Sequence, residues 1–144
     1  VASQCNRITT ADIDQFRRHA QRILGGLATL TGQGGGFVIS AVYSSNGANQ
    51  VAWQQRTGGT TFASGVGAPG GSASVGGGFT VPNSQTMMVV ELFATIPPGL
   101  SPMRLAQSVF AWELRSRVQF LSRAPDATRL QQPPTSSGSR ECTA

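Results

Sequence analysis

Few side chains in this 144-residue sequence could do chemistry, and Glu91 is the most conspicuous of them. It interrupts the apolar run TMMVVELFATI, Thr86 to Ile96, where an ionised carboxylate left alone would be costly. No second titratable group sits beside it in sequence, so acid–base catalysis by a carboxylate pair is not expected. The simpler expectation is a rim carboxylate paired with an arginine. His19 is the only histidine, and Arg17, Arg18 and Arg22 around it disfavour both a metal ion and protonation of the ring. It reads as a solvated helix residue. Cys5 and Cys142 lie near opposite ends of the chain, which suits neither a zinc site nor a Cys-x-x-Cys redox pair. A disulfide joining the two tails would fit an oxidising compartment; the other reading is two free thiols. Gly32-Gln33-Gly34-Gly35-Gly36 could be taken for a phosphate loop, but such a loop follows a strand and opens a helix. Here the order is reversed, so the segment reads as a connector. Nucleophile-elbow motifs and cysteine–histidine clusters are both lacking. No catalytic, metal-binding or cofactor-binding residue is assigned, and an enzyme is not expected.

The composition bounds what else the chain could do. All eleven basic side chains are arginine, against six acids, giving a net charge of +5 and a pI near 11.0. An anionic partner is therefore conceivable. Yet the arginines are spread along the chain, whereas a nucleic-acid binder more often shows a dense basic stripe interleaved with exposed aromatics. Nucleic acid is not the expected partner, and a bias in genomic base composition accounts more simply for the lack of lysine. Eighteen glycines and a low charged fraction point to extended structure with long loops. The length suits one domain, assigned to residues 1–125, with a polar tail over 126–144. No apolar run reaches the roughly 20 residues that a membrane-spanning helix needs.

The elements that would position these residues follow from periodicity. Thr10 is the expected cap of a helix, with Asp12 and Asp14 in its first turn, where the helix dipole favours negative charge. Ile13, Phe16, Ala20, Ile23, Leu24 and Leu27 recur at intervals of three and four, forming an apolar stripe. Gly25 and Gly26 weaken or end the helix. Phe37 to Tyr43 and Asn49 to Arg56 read as strands joined by a hairpin turn at Asn46-Gly47, with Val51, Trp53 and Gln55 on one side of the second. Trp53 is expected in the core or at its rim. Thr57 to Gln85 is dominated by Gly, Ser, Ala, Thr and Pro, and is too poor in large apolar groups to offset its ordering entropy alone. It should be a long excursion facing a partner, pinned by Phe62, Val66, Val75, Phe79 and Val81, with a short strand starting at Phe79 to Val81.

The Thr86 to Ile96 run, bounded by turn residues, is the expected central strand. Met87, Val89, Glu91 and Phe93 then share one face, and Met88, Val90, Leu92 and Ala94 the other. The helix covers one face; the other needs loops, a second layer or another protein. The face of Met87, Val89, Glu91 and Phe93, with the glycine-rich loop, is the candidate partner surface. A helix start at Ser101-Pro102-Met103 follows, and Glu113 to Ser122 alternates as an edge strand with Arg115 and Arg117 on its outer face. The fold class is α+β: one N-terminal helix packed on a small antiparallel sheet, with a long glycine-rich loop.

Four segments together carry a resemblance: Val38-Ile39-Ser40-Ala41-Val42; Val51-Ala52-Trp53-Gln54-Gln55-Arg56-Thr57-Gly58-Gly59; Met88-Val89-Val90-Glu91-Leu92-Phe93; and Phe120-Leu121-Ser122-Arg123-Ala124-Pro125. In order and spacing, from about Ile8 to Pro125, the chain resembles the TadE/TadF family. These are the minor pilins (pseudopilins) of the tight-adherence (Tad, type IVc) pilus. The resemblance implies a pilin-like fold and a structural role in priming, capping or assembling a pilus. It also implies other pilins and assembly proteins as partners, and a periplasmic or extracellular location. Anchoring would be in the inner membrane, through a helix upstream of residue 1. The chain departs from the family in the glycine content of its central loop and in Arg123-Ala124-Pro125 at its end. Two other classes stay open: a free-standing extracellular or periplasmic binding module, and a pilus-associated nucleic-acid binder.

Overall fold

The computed structural model describes residues 10–24, 35–58, 62–96 and 112–122. Helix α1 spans Thr10–Leu24, and four strands follow: β1 Gly35–Ser45, β2 Ala48–Gly58, β3 Thr86–Ile96 and β4 Trp112–Leu121. They form one sheet in the order β2-β1-β3-β4, every neighbouring pair antiparallel. The architecture is α+β, with β3 in the interior of the sheet and over the bounds its composition predicts.

The β1–β2 hairpin turns at Asn46 and Gly47, with φ of 51° and 79°. This left-handed pair matches the twist of the flanking strands, and Asn and Gly are the residues that adopt it most readily. Further along, Val42 pairs with Val51 but Ala41 pairs with Trp53, so Ala52 is an extra residue in β2. This bulge corrects the simple alternation expected of Val51 and Trp53. Val51 joins a cluster with Val42, Met87 and Val89 on one face, and Trp53 joins Ile39, Ala41 and Met88 on the other. A single inserted residue thus gives each face a large side chain from β2.

Helix α1 covers part of the Trp53 face. The ring of Phe16 lies 5.2 Å from that of Phe37, and Ala20 packs against the Phe37–Ala94 cluster. Ile23 is 84% exposed, so the predicted stripe is only partly used. The side chains of Ile13 and Leu24, and Leu27 altogether, fall outside the described residues. So do the helix start at Ser101, the tail over 126–144, and both Cys5 and Cys142.

The opposite face carries a second layer built from the glycine-rich segment. Val66, Val75 and Val81 descend onto Val42, Val51, Met87 and Val89, and all seven are buried. Each fully buried valine contributes about 2 kcal/mol of transfer free energy. Phe79 instead stays 41% exposed, and Phe79 to Val81 forms no strand; a short 3-10 turn at Gly76–Gly78 precedes it.

Candidate functional site

The candidate partner surface of Met87, Val89, Glu91 and Phe93 is not a surface. Their relative exposures are 4%, 0%, 7% and 2%, because the glycine-rich layer lies on top of them. The excursion expected to face a partner faces its own sheet. The physical reason is that the sheet's polar side chains supply the hydrogen bonds that the excursion's backbone needs, which a count of apolar residues omits.

Glu91 is the inner anchor of this arrangement. Its Oε2 accepts the hydroxyl of Ser64, and its Oε1 accepts the amide of Gly65 at 2.9 Å. Ser64 Oγ in turn accepts the amide of Val66 at 3.1 Å, closing a local turn that delivers Val66 to the core. Among the described residues these two neutral donors, and not the expected arginine, meet the carboxylate. Arg117 is opposite Glu91 in the β3–β4 register, but its guanidinium donates to the Ser74 carbonyl. Among the described residues the ion pair formed is Arg17 with Asp14, at 3.7 Å along α1. The Ser64 and Gly65 hydrogen bonds satisfy an acceptor on each oxygen of the buried carboxylate.

Strand β2 provides the outer clamps. The Asn49 carboxamide donates to the Phe79 carbonyl at 2.7 Å and accepts the Val81 amide at 2.9 Å, so one side chain mimics a strand partner for residues 79–81. Gln54 donates to Ser40 Oγ at 2.9 Å and to the Gly67 carbonyl at 3.2 Å. Arg56 donates to the Phe62 carbonyl at 2.7 Å. Backbone pairing continues the attachment: Val51 donates to Gly71 at 3.0 Å and accepts from Gly70 at 2.8 Å, and Asn49 accepts from Ala73 at 2.8 Å. Gly67, at φ 125°, lies against the Ser72 backbone. A Cβ there would stand 2.5 Å from the Ser72 carbonyl oxygen, so only glycine fits.

An aromatic stack closes the far end of the layer. Phe62 lies flat on Phe93 with centroids 5.1 Å apart, and the Arg115 guanidinium sits 5.4 Å from the Phe93 ring and 5.8 Å from that of Phe62. The arginine-bearing side of β4 thus borders the glycine-rich layer while Arg115 and Arg117 stay exposed, as the expected charged outer face requires. The sequence reading identified Glu91, Phe62 and the three valines, but missed Asn49, Gln54, Arg56, Ser64, Arg115 and Arg117 as clamps. No local pattern marks them, because each acts on a segment brought near by the fold.

His19 is exposed on α1, as expected. Among the described residues no group of three or more His, Cys, Asp or Glu side chains could hold a metal ion. Ser64 and Glu91 form a hydroxyl–carboxylate pair, but the hydroxyl is engaged on both sides, donating to Glu91 and accepting from Val66. Among the described residues the exposed large apolar side chains are Phe16 at 45%, Ile23 at 84%, Leu114 at 39% and Val118 at 58% on the helix side, with Phe79 at 41% and Leu121 at 38% elsewhere. No protein-family model, curated protein or solved structure matches the sequence.

Proposed function

We propose that this chain is a structural subunit of the TadE/TadF kind, a minor pilin that works through surface contacts in assembling or priming a type IVc (Tad) pilus. The observation that carries this reading is the convergence of the motif residues on one task. Ser40, Gln54, Arg56 and Glu91 come from three of the four segments that carry the resemblance, and each takes part in holding the glycine-rich layer or its clamps. Motif residues that build a rigid subunit suit a protein whose work is assembly. On this reading its partners are other pilins and pilus assembly proteins, and the mature domain is periplasmic or pilus-associated, tethered to the inner membrane by an upstream helix.

The reading is tested by deleting the gene and counting surface filaments. Loss of filaments, restored by the wild-type gene, is the expected result; intact and normally abundant pili contradict it. The coding sequence upstream of Val1 separates the second class. A pseudopilin needs a short basic leader there and an apolar segment of about 20 residues that stays in the mature chain, whereas a free-standing extracellular binding module needs no such retained segment, only a removable signal peptide with a shorter apolar stretch. Nucleic-acid binding is disfavoured by the internal use of Arg56, Arg115 and Arg117. Binding that weakens steeply with added salt would revive it.

A further inference from the structure

Asn46, in the β1–β2 turn, is the only one of the four asparagines that precedes a glycine. In that order the glycine amide nitrogen can attack the asparagine Cγ and close a five-membered ring, with no side chain on the second residue to hinder it. Both residues are exposed, and a Cβ placed on Gly47 would meet nothing beyond its chain neighbours within 4 Å, so no other part of the fold covers the approach. Asn49, by contrast, precedes Gln50, and its carboxamide is held by Phe79 and Val81. Asn83 precedes Ser84.

The backbone is already half set for ring closure. With φ of 51° and 79°, the two turn residues have the signs of a type I′ turn. Closure needs Cβ and the following nitrogen eclipsed about the Cα–C bond, at a ψ of about −120°, which with positive φ is the first central position of a type II′ turn. Rotating the peptide plane between Asn46 and Gly47 carries the first turn type into the second. Asn46 keeps its φ, and Gly47 reverses the sign of its own, which glycine does freely. Both types close two-residue hairpins, so β1 and β2 stay paired throughout.

We propose that Asn46 is a self-modification site, where ring closure onto Gly47 releases ammonia and converts the residue to aspartate and isoaspartate. The Gly47 nitrogen gives its proton to water or hydroxide as it bonds to Asn46 Cγ; the Cγ–Nδ2 bond breaks, and ammonia leaves with a proton from solvent. Water then opens the ring at either carbonyl. Opening at Cγ gives an aspartate side chain, and the turn survives because Asp-Gly suits it as well. Opening at the main-chain carbonyl routes the chain through Cγ and adds a methylene between Ser45 and Ala48, the closing pair of the hairpin. Either product adds a negative charge. This inference does not rest on the pilus reading, and either could fail alone.

Incubation of the full chain at mildly alkaline pH tests it, followed by cation-exchange chromatography and peptide mass spectrometry, with circular dichroism to verify that the chain stays folded. A peptide of residues 43–50 treated alongside gives the rate without the fold. An acidic form should accumulate in the folded chain at a rate within about tenfold of the peptide's, a barrier difference of about 1.4 kcal/mol or less. Both isomers should appear at Asn46, with Asn49 and Asn83 still amides. Asn46→Gln, whose ring would need six members, should form the acidic species far more slowly. A folded chain that keeps its Asn46 amide while the peptide is converted overturns the proposal. So does a new carboxylate at Asn49 or Asn83 in place of Asn46, or aspartate at Asn46 without isoaspartate, the product of direct hydrolysis.

Discussion

The amide of Gly65 donates to Oε1 of Glu91 at 2.9 Å, across 26 positions of sequence. This contact converts a charged residue in an apolar strand from a misfit into the inner fastening of a second layer. Removing the carboxylate leaves the Ser64 and Gly65 donors without their acceptor beneath Val66. Glu91→Ala should therefore lower unfolding stability by about 2–3 kcal/mol, the range for losing charged hydrogen bonds at a buried site. Glu91→Gln keeps one carbonyl acceptor for Gly65 and should cost about half as much. Urea unfolding followed by tryptophan fluorescence measures both; equal stability of the alanine variant and wild type would contradict the anchoring role.

Gly67 and Gly70 both have positive φ, 125° and 77°, but differ in their surroundings. An alanine at 67 would drive its Cβ to 2.5 Å from the Ser72 carbonyl oxygen, whereas at 70 it would meet open space. Gly70→Ala should cost about 1–2 kcal/mol, the backbone penalty alone, and Gly67→Ala distinctly more. Thermal unfolding of the two side by side checks the order; the reverse order would mean the layer does not close on itself at Ser72.

Asn49 holds both the Phe79 carbonyl and the Val81 amide. Asn49→Asp keeps the acceptor and loses the donor, and Asn49→Ala loses both. The alanine variant should destabilise by about 1–2 kcal/mol and the aspartate variant by less. Amide exchange at Val81 should speed up in the alanine variant and change little in the aspartate variant. Equal exchange in both would assign Val81's protection to burial alone.

Arg115 covers two stacked rings, Phe62 and Phe93. Arg115→Lys keeps the charge but loses the planar group that lies on aromatic faces. A loss of about 0.5–1 kcal/mol is expected, and Arg115→Ala should lose slightly more because it also removes the covering hydrocarbon stem. Chemical denaturation of the three proteins checks this; a lysine variant as stable as wild type would reduce the contact to simple charge.

Much of the fold was legible because its signals are local. The Asn46-Gly47 turn, the apolar run at Thr86–Ile96 and the α1 stripe each announce an element within a few residues. The bulge at Ala52 was not legible, since register is decided by the partner strand; it placed Val51 and Trp53 on opposite faces. The largest departure was the glycine-rich segment. Counting its apolar residues suggested a partner-facing loop, but three valines and a set of long-range clamps on Asn49, Gln54, Arg56, Glu91 and Arg117 suffice to lay it on the sheet. For the same reason Met87, Val89, Glu91 and Phe93 proved to be core, while Leu114 and Val118 across the sheet are exposed.

Native-state hydrogen exchange of the amides of Val51, Gly70, Ala73 and Ser74 tests most directly whether the glycine-rich segment is a folded layer. Each donates to a named backbone carbonyl at 2.7 to 3.0 Å. The prediction is that Gly70, Ala73 and Ser74 exchange orders of magnitude more slowly than an unstructured chain, and that Glu91→Ala accelerates them together while the interior of β1 stays protected. Exchange of those three amides at the free-peptide rate in the wild-type protein would contradict the account.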